Sequence, residues 1–424
     1  MKNLRLEVYN TLLKTLNNYS YCILRNYEAL PKYENDIDIL VAKTQFSQIS
    51  SHINNSFNEI GVEFIYHAKF GCESYFYFDS ITGNIFHIDF FLEFSWKGYI
   101  YIDADEVLNN RVQYNEIFIP SSFYEYLDLF LTGILNNAEI KEKYYSKIIL
   151  LKKRYSKELK EYFSIDLQID SALSQQNKVP NSLIRKLRLS VRKKSLNLIG
   201  LHKTIYNKFL YLKRLIKRVV KYEGISIAFY GTDGAGKSTQ IEMLKANIKP
   251  LFSRGYSYFH FKPFPQKKNK SAVERPHNKK NYNMIISIIK VFYYAWIFFL
   301  GYYQYVFPKL FKNTLVIFDR FFDDIILDPK RYRLKNVTLL SRIMSFFVFK
   351  PNLVFVLKGN PKTISSRKNE LSILETEKQQ NRMKNLFFDK KNTVFINGDE
   401  KIEVISKKVI RNIISFKMRH HDKK

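Results

Sequence analysis

Three stretches near the start of the chain alternate apolar and polar residues. "ESYFYFDS" (Glu73–Ser80), "NIFHIDFFLEF" (Asn84–Phe94) and "YIYIDADEV" (Tyr99–Val107) carry the period of two that predicts strands. Turn residues such as Ile81-Thr82-Gly83-Asn84 separate them. Upstream, "YCILRNYEALPKYENDIDILVA" (residues 21–42) reads as strand, turn, strand. From Ser122 to Tyr162 the apolar spacing lengthens to that of helices, in "FYEYLDLFLTGILNN" and "KEKYYSKIILLKKRYSKELKEYF". The N-terminal part is expected to be a small sheet followed by helices.

After Glu223 the pattern changes. The strands "ISIAFY", "YSYFHF", "TLVIF", "LVFVL" and "TVFIN" alternate with helical segments. Such alternation predicts a parallel sheet with both faces covered. The fold class is therefore α/β in the C-terminal part, with five parallel strands, and α+β in the N-terminal part. The expected boundaries are 1–165, a basic helical connector at 166–222, and 223–424.

Charge sharpens this division. Residues 1–165 hold 17 Lys+Arg against 21 Asp+Glu, residues 166–222 hold 14 against 2, and residues 223–424 hold 38 against 16. From Ser171 to Tyr222 there is no acid. Ile205, Phe209, Leu212, Ile216 and Val219 share one helical face, with Lys208, Lys213, Arg214, Lys217 and Arg218 largely off it. Two readings stand for this segment: a helix that docks on an anionic membrane or nucleic acid, and a connector that packs its stripe on a neighbouring domain.

"MIISIIKVFYYAWIFFLGYYQYVF" (Met284–Phe307) is long and apolar enough to span a bilayer. A single span would separate the loop at 231–238 from Asp319, which are expected to share one site. A core helix or a homodimer interface is the expected role, with surface insertion the alternative. Gln266–Tyr282 is polar and basic and is expected to be a mobile loop. Two cysteines, Cys22 and Cys72, make no disulfide framework, and "MKNLRLEVYN" carries no signal-peptide pattern, so a reducing cytoplasmic setting is expected.

"GTDGAGKS", Gly231 to Ser238, fits G-x-x-x-x-G-K-[ST], follows an apolar strand and opens a helix. Gly231, Gly234 and Gly236 let backbone N–H groups turn inward around phosphates, at a helix N-terminus that favours anions. Lys237 reaches the β/γ oxygens, Ser238 ligates Mg²⁺, and Thr239 continues the nucleotide-binding set. ATP and Mg²⁺ are the expected cofactors.

The fuller wording G-x-D-G-x-G-K-S-T resembles the thymidylate kinase family, over roughly residues 225–412. "VIFDRFF" resembles that family's Asp-Arg-aromatic strand end, "KPNLVFVLKGNPKTISSRKNE" its fourth strand and basic lid, and "FINGDEKIEVISKKV" its closing strand and helix. The resemblance implies a kinase. Asp233 would face the acceptor, Asp319 would lie near Mg²⁺ and the acceptor, and Arg320 would hold an anionic acceptor group. Gly234 stands where some members carry an arginine, so the catalytic cation is expected from the lid, at Arg367 or Lys368. The chain departs from the family after the second strand, where "FHFKPFPQKKNK" replaces the base-reading stretch. It departs again in "DRFFDDIILDPKRYR", where Lys330, Arg331 and Arg333 form either a clamp for an anionic acceptor or a solvated basic turn. Both departures resemble a divergent group with surface-polysaccharide functions. A small-molecule acceptor is expected, a nucleotide-, sugar- or glycan-linked group other than dTMP, and the alternative is a nucleotide-binding switch module that docks on membrane or nucleic acid.

In "ENDIDILV", alternation puts Asp36 and Asp38 on one strand face, and His87 and Asp89 are likewise two apart. The arrangement resembles the nucleotidyltransferase superfamily over residues 15–130, which implies that Asp36, Asp38 and Asp89 hold Mg²⁺. Arg25-Asn26 stand where that family has its Gly-Ser helix start. A working metal site, a degenerate ligand-binding domain and a structural coincidence are all compatible with this pattern.

Overall fold

The computed structural model describes residues 4–32, 36–69, 71–79, 82–163, 179–220, 222–265, 280–367, 372–388 and 390–422. Lys368 and most of the segment Gln266–Tyr282 lie outside them. The chain divides into two compact units, Met1–Thr82 with Phe86–Lys217, and Gly83–Ile85 with Arg218–Lys424.

The first unit is built on a five-stranded sheet: β1 (Tyr21–Ile23), β2 (Asp36–Val41), β3 (Val62–Lys69), β4 (Glu73–Asp79) and β5 (Ile85–Phe91), in the order β1-β2-β5-β4-β3. β2 runs antiparallel to β1 and parallel to β5. Alternation along β2 sends Ile37, Ile39 and Val41 into a core with the helices Leu4–Leu16 and Phe46–Glu59, which contribute Leu12, Leu16, Ile49 and Phe57. The opposite face carries Asp36, Asp38 and Leu40. Leu40 joins a second core, built largely on the helices Ser122–Asn137 and Tyr145–Phe163.

The basic segment does not behave as one element. Its helix, Asn181–Val220, turns at Gly200, whose φ of 74° and ψ of 171° are open essentially only to glycine. Before the turn, Leu183, Ile184, Leu187 and Val191 are buried in the second core. Their spacing keeps them on one face, so this half belongs to the first unit. After the turn, Ile205, Phe209, Leu212, Ile216 and Val219 are between 47 % and 67 % exposed. The start of this second half is held closely. A hairpin of β6 (Phe94–Trp96) and β7 (Tyr99–Ile102) turns at Gly98, whose φ is +89°. A Cβ there would lie 2.8 Å from the Asn207 carbonyl oxygen.

A further hairpin, β8 (Val112–Tyr114) and β9 (Ile117–Ile119), completes the strands of the first unit among the described residues. The second unit holds β10 (Ile225–Tyr230), β11 (Tyr256–His260), β12 (Leu315–Asp319), β13 (Leu353–Lys358) and β14 (Thr393–Asn397). All pair in parallel, in the order β11-β12-β10-β13-β14, as the alternation of strands and helices predicts. On one face Ala228, Tyr230, Phe318 and Val356 pack with Val291 and Phe298 of the helix Met284–Gly301. That helix buries one side, through Val291, Tyr294, Ala295, Phe298 and Gly301. Its other side leaves Ile285, Ile289, Phe292 and Trp296 exposed. The apolar segment Met284–Phe311 passes the length and hydropathy requirements for a span. Its buried side is nevertheless part of the sheet's core. Gly301 has a packing reason, because a Cβ there would lie 2.5 Å from Pro263 Cγ and 2.9 Å from the Pro263 carbonyl oxygen.

Candidate active site

The strand register of the second unit sets the site. Phe229 of β10 pairs with Asp319 at the end of β12, and His260 ends β11 beside the same residue. The loop after β10 therefore opens next to Asp319, at the carboxyl edge of the sheet, where parallel α/β folds bind ligands. A cavity of about 730 Å³ lies there. Its walls include Asp233, Gly234, Gly236, Lys237, Ser238 and Thr239 from the loop and helix start, with Asp319, Arg320, Arg331 and Arg367 facing them. Gly234 and Gly236 have φ of 88° and 90°, so the loop needs glycine at both positions. Gly231 supplies a carbonyl that the site uses.

Lys237 is buried and curls onto its own loop. Its Nζ donates to the carbonyls of Gly231 at 2.8 Å and Thr232 at 3.0 Å. Burial, reinforced by the positive charge of Arg320, pulls its ammonium down to about 8, although Asp233, Asp319 and Asp324 oppose the shift.

Asp233 does not stand open toward an acceptor. It accepts from Arg320 Nη2 at 2.6 Å and from Arg331 Nη2. Arg320 also donates from Nη1 to both oxygens of Asp324, at 3.2 and 3.1 Å, and Tyr332 Oη donates to Asp324 at 2.7 Å. Arg331 Nε reaches Asp328 at 3.4 Å. Arg320 itself has a φ of 69°, a left-handed conformation that costs a non-glycine residue about 1 kcal/mol or more and clusters at functional sites. Its backbone N–H donates to the Phe229 carbonyl at 3.1 Å, and its guanidinium is held charged by Asp324 and Asp233 against the cost of burial.

Asp319 accepts a hydrogen bond from Tyr258 Oη at 3.3 Å through Oδ2, while its buried Oδ1 has no hydrogen-bond partner among the described residues. That orphaned acceptor, on the wall that also holds the Ser238 hydroxyl, fits a hard cation or its water. His260, which sequence reading places at a strand end, also lines the cavity, and burial lowers its imidazole.

The basic residues after Asp328 separate. Arg331 lines the cavity. Lys330 is exposed and is not among the lining residues. Arg333 donates to the Lys280 carbonyl at 2.7 Å and to Tyr282 Oη at 3.0 Å, stacking 4.0 Å over that ring. It anchors the chain just before the apolar helix. The sequence reading missed Gly398 and Glu400, which enter the cavity from the end of β14. Their position at a strand carboxyl edge is the signal that finds them.

The acidic face of the first unit has its own geometry. In the β2/β5 register Asp36 pairs with His87, and Asp38 with Asp89. Donor atoms of Asp36, His87 and Asp89 lie within 4.8 Å of one another. Asp89 is 2.8 Å from His87 Nε2 and accepts from Ser74 Oγ at 2.5 Å. Asp38 is drawn elsewhere, with Arg25 Nη1 at 3.7 Å. Arg25 in turn forks onto Asp128, with Nε at 2.6 Å and Nη2 at 2.8 Å. Burial pushes the Asp38 carboxyl up to about 7, even with Arg25 beside it. Asn26 is in a left-handed conformation and accepts from Lys143 at 2.9 Å and Tyr144 at 3.1 Å. Arg25 and Asn26 are thus both held by side chains of the first unit.

The thymidylate kinase family model matches residues 229–409. The match covers less than half of the chain, and over these residues the chain is similar to a thymidylate kinase domain. The thymidylate kinase from Ehrlichia chaffeensis is similar in structure, at 17 % sequence identity and a TM-score of 0.33, covering 45 % of this chain and 98 % of that one. No curated protein matches the chain. The first unit lies wholly outside the matched residues.

Proposed function

We propose that the second unit transfers the γ-phosphoryl group of ATP to a small or glycan-linked acceptor that carries an anionic group and is not dTMP. The observation that carries this reading is the convergence of Arg320 and Arg331 on Asp233 at the mouth of the loop. Two guanidiniums on one carboxylate form a fork that also suits a phosphate or carboxylate of an acceptor. The region where a base-reading stretch would begin supports the second half of the reading. Phe261 is buried there against Tyr294, Phe298 and Tyr332, so aromatic side chains fill that space.

In the reaction the acceptor oxygen forms a bond to the γ-phosphorus, the bond to the β,γ-bridging oxygen breaks, and ADP leaves. Lys237 exchanges its two loop carbonyls for phosphate oxygens. Arg367, on the cavity wall, neutralises charge on the transferring group. Ser238 and Asp319 would hold Mg²⁺, which screens the phosphate charge when bound. Arg320 and Arg331 orient the acceptor, and Asp233 positions them. The test is transfer from γ-labelled ATP to panels of sugar phosphates, nucleoside monophosphates and glycan precursors. Wild type should label a product that Lys237→Ala does not. Labelling of dTMP in preference to every other acceptor would overturn the reading.

A second reading concerns the first unit. Asp36, His87 and Asp89 offer two carboxylates and an imidazole to one divalent cation. Asp38, committed to Arg25, is outside that set. Nucleotidyl transfer there would have one cation rather than two, because Arg25 already stands beside Asp38 and forks onto Asp128. Loss of cation binding in Asp89→Asn, followed by calorimetry with Mn²⁺, with Asp38→Asn unaffected, is the expected result.

A further inference from the structure

The second half of the basic helix serves neither site, and its apolar stripe is exposed. We infer that the segment from Leu201 to Val219 docks on an anionic lipid surface, with Ile205, Phe209, Leu212, Ile216 and Val219 inserted and the basic residues beside the stripe facing the head groups. The stripe is a set of large apolar side chains on one face of a helix, each about half exposed or more. Lys208, at one margin of this stripe, donates to the Lys97 carbonyl at 3.4 Å and lies 4.9 Å over the Tyr99 ring, which leaves Lys213 at the other margin, with Arg214 and Lys217 farther round, to meet the head groups. There is no acid anywhere in the helix. An amphipathic helix with a basic polar face and this apolar face lies in the plane of a membrane interface, and its lysine stems reach along the apolar surface to the head groups.

Charge selects the occupant. The apolar residues recur at spacings of four, three, four and three, which also suits a coiled coil. In a pair of identical helices, however, the flanking positions would bring Lys208 and Lys213 against lysines of the other copy. Like charges there disfavour self-pairing and favour a surface of opposite sign. Nucleic acid meets the charge requirement but makes no use of five large apolar side chains.

The test is co-sedimentation of the full chain with vesicles of phosphatidylcholine alone and with 30 mol % phosphatidylglycerol, at low and high salt. The wild type should bind the anionic vesicles, weakly or not at all the neutral ones, and release at high salt. Lys213→Gln/Arg214→Gln/Lys217→Gln should lower partitioning on the order of a hundredfold, from about tenfold or less per charge. Phe209→Glu/Ile216→Glu should abolish it while leaving the thermal midpoint unchanged. Equal vesicle binding by Phe209→Glu/Ile216→Glu and wild type would overturn the inference. So would a fall in that variant's midpoint, which means the stripe is covered by protein. A lipid-free dimer in light scattering that this variant dissolves would assign the stripe to a second copy. Binding to duplex DNA that survives the apolar changes, with no vesicle binding, would assign the charge to nucleic acid.

Discussion

Arg320 and Asp233 are joined across the phosphate loop by a 2.6 Å hydrogen bond, although 87 residues separate them. The same guanidinium is held from behind by Asp324, which is only 1 % exposed. Removing the cation leaves Asp324 charged and buried. Arg320→Ala is expected to lower stability by about 3–5 kcal/mol, the range for breaking one partner of a buried ion pair. Urea unfolding of the variant checks this. Asp233→Asn acts in the opposite sense on the cavity. With its carboxylate neutralised, inorganic phosphate should bind the apoprotein more tightly by roughly tenfold, measured by calorimetry.

Arg25 provides a parallel case in the first unit. Asp128 is 1 % exposed and receives two of its hydrogen bonds, and Asp38 lies 3.7 Å away. Arg25→Ala should cost about 3–5 kcal/mol, and Arg25→Met/Asp128→Leu far less than the sum of the single changes. A double-mutant cycle by denaturant unfolding reads the difference. Additive losses would mean that the pair is not coupled.

The close contact at Gly301 is a packing requirement. Gly301→Ala should destabilise the second unit by about 1–3 kcal/mol, because Pro263 must move away from the new methyl group. Phe299→Ala, on the exposed side of the same helix, should change stability by about 0.5 kcal/mol or less. Thermal unfolding of the two variants compares the two sides directly.

Lys237 gives nucleotide binding a pH dependence. In the free protein its ammonium titrates near 8 because it is buried beside Arg320. Triphosphate favours the protonated form and raises that value. Above pH 8, binding must therefore take up a proton, and affinity must fall as pH rises, by at most tenfold per unit. Calorimetry of ATP binding in EDTA, in two buffers of different ionisation enthalpy, should show proton uptake at pH 8.5 and little at pH 7. Lys237→Met should remove the dependence.

The parallel sheet and the phosphate loop are legible because local pattern encodes both. Apolar runs mark β10, β12 and β13, and the loop's glycines take the conformations that the motif requires. Alternation likewise places Asp36 with Asp38 and His87 with Asp89. The partners are not legible. Nothing near Arg25 announces Asp128, which lies 103 residues away. Nothing in "DPKRYR" says that Arg331 turns into the cavity while Arg333 turns onto Tyr282. These outcomes depend on where a helix crosses a sheet, and pairwise contacts between distant residues leave no periodicity to read. Asp323, Asp324 and Asp328, three acids near a nucleotide loop, suggest chemistry in sequence. In the fold they are buried, with Asp324 on Arg320, Asp328 on Arg331, and Asp323 accepting from Ser345 at 2.8 Å.

The turn at Gly98 carries a consequence for how this chain can diverge. The backbone of Asn207 rests against it so closely that no side chain fits between them. Any substitution at position 98 must push the basic helix away from its seat, whatever the new residue's chemistry. Relatives that keep glycine there can exchange every exposed residue of that helix, and so change what it meets, without disturbing how it is mounted. The interface is free to drift while its fastening is not.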